Sequence, residues 1–184
     1  EEELATFRKL DSRLQGHAHI KTPGVEMSGG SLGQGLSFGI GTALAACIDK
    51  RQSRTYVLLG DGECDEGQIW EAAMSAAHYK LDNLVAIVDR NGIQNDRWTH
   101  QVMELEPLPA KWRAFGWHTL EIDGHDSPQI IDALEEAGKT AGRPTAIIAK
   151  TVKGKGVSFM ENNPEFHGKA PNDEQLAIAL QEIG

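Results

Sequence analysis

The chain is short of cysteine, of positive charge and of long apolar runs, and each shortage argues against a class of function. Cys47 and Cys64 are its two cysteines, with no C-x-x-C spacing and no ligand-like neighbour. Neither a disulfide framework nor a thiolate metal knuckle is indicated, and free thiols in a reducing compartment are expected. Lysine and arginine total 18 against 27 acidic residues, a net charge of -9, which speaks against general nucleic-acid binding or docking on an anionic membrane. The longest weakly polar run, LSFGIGTALAACI from Leu36 to Ile48, is too short to cross a bilayer, which takes roughly 20 residues. The opening EEELATFRKL is acidic where a secretory signal would be basic. A cytoplasmic protein without a membrane span is therefore expected. There is no internal repeat and no low-complexity segment.

What is present is the balance of an ordinary globular domain. With 184 residues, 40% hydrophobic and 24% charged, residues 1–184 are enough for a single domain with a sizeable core. Helix-period and strand-type segments alternate along it. EEELATFRKLDSRL spaces Leu4, Phe7, Leu10 and Leu14 as an amphipathic helix, and a Gly/His/Pro-rich loop follows from Gln15 to Gln34. Helices are expected from Leu36 to Lys50, from Gln68 to Lys80, around Lys111, over 128–139 and from about Asn172. Strands are expected over 55–59, 84–89, 118–122 and 145–149. Continuous apolar strands separated by helices imply an α/β fold, a doubly wound and mainly parallel sheet with helices on both faces. Asp65 with Gln68 has the spacing of a capping box, and Ser127-Pro128 that of a cap followed by proline in the first turn.

The chemistry gathers at YVLLGDGECDEG, residues 56–67. A strand ends in Gly60-Asp61-Gly62 and a helix follows, the arrangement that seats a phosphate on a helix N-terminus. Yet Asp61 sits between the glycines, and a carboxylate against a diphosphate oxygen costs on the order of 4 kcal/mol at about 4 Å and an effective dielectric of about 20. A divalent cation between them reverses the sign. Asn91 ends the next strand, and neighbouring parallel strands end on the same sheet edge, where open α/β sheets bind ligands. A carboxylate, an amide oxygen, a carbonyl and phosphate oxygens suit Mg2+ or Ca2+ and offer nothing soft for zinc. A bare GDG is also a common helix-capping turn; its place between strand and helix, with Asn91 beyond the next strand, favours the metal. The glycines miss the G-x-G-x-x-G spacing and no Walker lysine follows, so neither a nicotinamide site nor a P-loop is indicated.

The span GDGECDEGQIWEAAMSAAHYKLDNLVAIVDRNGIQ resembles the thiamine diphosphate motif of transketolases. HIKTPGVEMSGGSLGQGLSFGIG resembles that family's TPGxE and GxLGQG segments, and KGKGVSFMENNPEFHG its late loop ending in His-Gly. The resemblance covers nearly the whole chain. It implies that Asp61, Asn91 and the main-chain carbonyl of Ile93 hold the metal on the cofactor diphosphate. It further implies that Gly60, Gly62 and Glu63 lie beside that diphosphate and that Gly30 and Leu32 contact the cofactor rings. His17 and His167 become the substrate-facing histidines, His167 also near the diphosphate. Glu66 and Glu71 match glutamates of an acidic cluster where subunits meet; Glu71 stands among Ala72, Ala73, Ala76 and Ala77, where a carboxylate needs a partner. Ala18 and Gly29 depart from the family pattern without removing a ligand.

The implied activity is transfer of a two-carbon ketol unit from a ketose phosphate to an aldose phosphate, with thiamine diphosphate and Mg2+ or Ca2+. The resemblance implies a chain shorter than a complete transketolase, expected to lack the front segment of its relatives. The expectation is a diphosphate-binding half, active with a C-terminal pyrimidine-binding subunit, in a homodimer or heterotetramer. Deoxyxylulose phosphate synthase, a ketoacid dehydrogenase subunit, or a non-catalytic cofactor- or partner-binding fragment remain alternatives. Lys153 and Lys155 could face cofactor or sugar phosphate, or could lie in a solvated loop; DGHD, residues 123–126, reads as a structural turn. The remaining histidines (His19, His78, His100, His118 and His125) receive no role.

Overall fold

The apolar runs pair into one parallel sheet. In the computed structural model, which describes residues 2–95 and 97–184, its strands are β1 (Thr55–Gly60), β2 (Leu84–Arg90), β5 (His118–Asp123) and β6 (Thr145–Lys150), in the order β1-β2-β6-β5. A small antiparallel ladder joins β3 (Ile93–Gln94) to β4 (Arg97–Trp98) just after β2. The helices are α1 (Gln34–Ile48), α2 (Gly67–His78), α3 (Thr99–Val102), α4 (Leu108–Ala114), α5 (Ser127–Lys139) and α6 (Asp173–Ile183).

Strand residues alternate between the sheet's two sides, and this sequence fills both with apolar groups. Leu84, Ala86 and Val88 of β2 and Ala146 and Ile148 of β6 join a core built with α1, α2 and α4. The opposite parity, Val85 and Ile147, meets Ala133 and Ala137 of α5. The reversal of direction explains the two faces. The chain steps from β1 through α2 to β2, reaches out to β5, then returns through α5 to β6, and right-handed crossovers in opposite directions put their helices on opposite sides. The doubly wound reading holds. The α5 face is incompletely covered at the sheet edge, where Leu58 of β1 is 72% exposed.

Three local expectations need correction. Residues 2–14 are not an amphipathic helix, and Glu1, where that helix is expected to begin, lies outside the described residues. Only Glu2–Thr6 makes a single 3-10 turn, and Arg8 and Asp11 adopt left-handed backbone that no helix continues through. Leu4, Phe7 and Leu10 stay exposed, Leu10 at 93%. A short helix owes most of its stability to burying its apolar stripe, and no described part of this chain receives that stripe. The Asp65–Gln68 capping box does not form either: Glu66 occupies the N-cap of α2 without a side-chain bond, while Asp65 accepts from Gln94 and Gln68 donates to Ser37. At α5 the cap is Asp126, which accepts from the Gln129 main-chain N–H, and Ser127 lies inside the helix. The Asn172 start of α6 is a full capping box with Gln175.

Candidate active site

Gly60 and Asp89 are partners in the β1–β2 register, so both strands end side by side. The Asp61 N–H donates to the Asp89 carbonyl at 3.1 Å, extending the ladder by one rung into the turn. This delivers the Asp61 side chain to the Asn91–Ile93 turn. Its Oδ2 accepts from the Gly92 N–H at 2.5 Å and its Oδ1 from the Gly62 N–H at 2.8 Å. Asp61 is 3% exposed. Burial pushes its carboxyl above the usual carboxylate range; the Gly92 and Gly62 amides act against this, and the nearby Asp89 charge adds to it. A buried, ionisable oxygen pair held by main-chain amides is chemically suited to a hard cation.

Asn91 is held between two groups of opposite character. Its Nδ2 donates to Asp89 Oδ1 at 3.3 Å, and its Oδ1 accepts from the Ile93 N–H at 3.0 Å. The Ile93 side chain is buried, which anchors the turn and leaves its main chain to serve the site. Beside Asn91 and Gly92 a cleft of about 350 Å3 opens, walled by Trp98, Thr151 and Val152 among others.

The second glycine loop meets the first through Glu63. Its Oε1 accepts from the Gly33 N–H at 2.9 Å and its Oε2 from the Gly60 N–H at 3.1 Å. Glu63 thus braces the loop of Gly30 and Leu32 against the end of β1. Gly33, the N-cap of α1, has φ of 86°, and a Cβ there would come within 2.9 Å of Glu66 Cβ; only glycine meets both demands. The imidazole of His17 packs on Gly30, where a Cβ would lie 2.8 Å from the ring. Leu32 is exposed. His167 follows a short turn, Pro164–Phe166, and is also exposed. Glu66 and Glu71 both face outward, Glu71 from the exposed side of α2 opposite the buried Ala72, Ala73 and Ala76.

The structure therefore unites Asp61 with the Asn91–Ile93 turn, Glu63 with Gly33 and Gly60, and His17 with Gly30. Sequence reasoning missed Gln94, whose Cβ stands where a Cβ on Gly62 would collide with it and whose amide donates to Asp65 Oδ2 at 2.9 Å. It also missed Asp89 and Thr151. For Asp89 the signal was available: a carboxylate two positions before Asn91 points to the same side of an extended chain. The loop after β6 is tied down by the DGHD turn, where His125 Nε2 accepts from the Val152 N–H at 2.8 Å, in keeping with its structural reading. Among the described residues no helix is long and apolar enough to cross a membrane.

Residues 1–184 match the family model for the transketolase thiamine diphosphate binding domain. An apulose-4-phosphate transketolase subunit from Phocaeicola vulgatus is 47% identical over 178 residues, covering 97% of this chain and 63% of that protein. A 6-deoxy-6-sulfo-D-fructose transketolase subunit from Clostridium sp. is 44% identical, covering 98% of this chain and 66% of that protein. The crystal structure of transketolase from Campylobacter jejuni superposes with a TM-score of 0.92 at 36% identity, covering 98% of this chain and 29% of that one. The chain spans less than two thirds of the length of these relatives. With this motif set, this sheet and these matches, the chain belongs to the transketolase thiamine diphosphate-binding domain family.

Proposed function

We propose that this chain is the diphosphate-binding part of a transketolase-like enzyme that moves a two-carbon ketol unit between sugar phosphates in the cytoplasm. The observation that carries the reading is the buried Asp61 carboxylate, bonded to two main-chain amides and set against the Asn91–Ile93 turn. The donors fit Mg2+ or Ca2+: Asp61 and Asn91 would hold the cation by side-chain oxygens and Ile93 by its carbonyl. Gly60 and Gly62 let the main chain approach a diphosphate, with Glu63 bracing the turn from behind. Bound thiamine diphosphate supplies the acidic carbon and the electron sink for breaking and making carbon–carbon bonds. Gly30 and Leu32 would seat its rings. His17 and His167 would offer ring N–H groups to substrate oxygens as charge develops there.

Relatives named as transketolase subunits support a second chain; that chain would bind the pyrimidine, the assembly would be a homodimer or heterotetramer, and Glu66 at the N-cap of α2 and Glu71 on its exposed side would face a neighbouring protomer. Calorimetry tests the cofactor site. Thiamine diphosphate should bind only with Mg2+ or Ca2+ present, and Asp61→Ala should abolish that metal-dependent binding; unaltered, metal-dependent affinity in the variant would contradict the assignment. Ketol transfer should require a second polypeptide, so turnover by the purified chain alone would overturn the split-site reading.

A further inference from the structure

Asp89 has no ligand role in the reading above, yet it occupies the centre of the bonds around the Asn91 turn. It lies at the end of β2, paired with Gly60 on one side and Ala149 on the other. Its Oδ1 accepts from Asn91 Nδ2 at 3.3 Å and, in a short contact, from the hydroxyl of Thr151, the residue that follows β6. Two strand ends and the turn between them thus converge on one carboxylate oxygen.

The consequence lies in the orientation of the Asn91 amide. A carboxylate oxygen only accepts, and a main-chain N–H only donates. With Asp89 Oδ1 on one side and the Ile93 N–H on the other, Nδ2 must face Asp89 and Oδ1 must face the turn. Reversing the amide would set oxygen against carboxylate and NH2 against N–H, two repulsive contacts in place of two hydrogen bonds. A cation accepts only the oxygen. Without Asp89, the Ile93 N–H alone is left to favour one amide orientation, and no described hydrogen bond holds the Asn91 NH2.

We propose that Asp89 is a positioning residue that orients the Asn91 amide so that its oxygen is presented to the cation, acting through hydrogen-bond polarity and not through its charge. The inference rests on the reading of Asn91 as a metal ligand. Outer partners that orient a ligand commonly change metal affinity by about tenfold to a hundredfold.

Two substitutions separate orientation from charge. Asp89→Asn keeps an acceptor oxygen for Asn91 and Thr151 but removes the charge; Asp89→Ala removes both. In metal-free protein, the side-chain NH2 of Asn91 should be protected from hydrogen exchange in wild type and Asp89→Asn, and exposed in Asp89→Ala. Metal-dependent thiamine diphosphate binding, read by calorimetry, should weaken by about tenfold to a hundredfold in Asp89→Ala and stay within about threefold in Asp89→Asn. If Asp89→Ala fails to fold, Asp89→Ser takes its place, since its hydroxyl is too short to span to Asn91. Equal losses in Asp89→Asn and Asp89→Ala would show that charge is what matters and overturn the proposal. So would an unprotected Asn91 amide in wild type. Wild-type protein that binds no cofactor with metal would sink the cofactor reading instead, and the amide exchange in metal-free protein would still decide the role of Asp89.

Discussion

The Gly92 N–H donates to Asp61 Oδ2 at 2.5 Å across the adjoining ends of two parallel strands. The bond fixes where a buried carboxylate meets the turn after β2, and it gives Asp61 a pH behaviour of its own.

Burial holds the Asp61 carboxyl above the usual carboxylate range, opposed by the Gly92 and Gly62 amides. A carboxyl whose folded pKa is raised binds protons more readily when folded. Its ionised form therefore burdens the metal-free fold at high pH, and that burden is relieved as pH falls through the raised value, levelling off below the unfolded value of about 3.9. Urea midpoints of metal-free protein between about pH 7 and pH 4 should show this favourable contribution on acidification, and Asp61→Asn should remove it. Metal-dependent cofactor affinity should move oppositely, falling over the same window because the cation needs the ionised form.

Glu63 uses both oxygens to hold main-chain amides of Gly33 and Gly60. Glu63→Gln leaves one acceptor for two donors. The unpaired amide should cost about 1–3 kcal/mol in urea unfolding, and limited proteolysis should find the Gly29–Gly33 loop more open.

Gly62 has no room for a side chain, because a Cβ there would collide with Gln94 Cβ. Gly62→Ala should destabilise by about 1–3 kcal/mol. The collision is with a Cβ, so Gln94→Gly should recover part of the loss and Gln94→Ala should not. A double-mutant cycle measures the coupling.

The two thiols should differ sharply in reactivity. Cys47 is exposed and Cys64 buried; burial raises the Cys64 thiol far above the ordinary range, with Glu63, Asp61 and Asp65 adding negative charge around it. Since the thiolate is the nucleophile, mass spectrometry after mild alkylation of the native protein near neutral pH should find Cys47 modified and Cys64 intact. Rapid labelling of Cys64 in folded protein would contradict this packing.

Much of the fold was legible because strand runs such as LVAIVD and TAIIA carry their burial in their composition: apolar on both parities, they must be covered on both sides. The GDG turn and Asn91 could be located for the same reason, as each follows directly on such a strand. Caps were read less well, since Asp65, Asp126 and Ser127 are all acceptable cap residues, and which one bonds depends on where the helix axis enters. The opening segment shows the limit most clearly. Leu4, Phe7, Leu10 and Leu14 have helical spacing, but periodicity states only which side a helix would bury.

The sequence by itself determined the parallel sheet, the two glycine loops and the oxygen-rich character of the site, because these follow from local composition and from which side chains water rejects. Tertiary structure decided the rest. Glu63 bridges loops thirty residues apart, Gln94 lies over Gly62, and Thr151 shares the Asp89 oxygen with Asn91. These contacts arise only when separate strand ends are brought together, and hydrogen bonding depends on final distance and direction, which residue order alone does not encode.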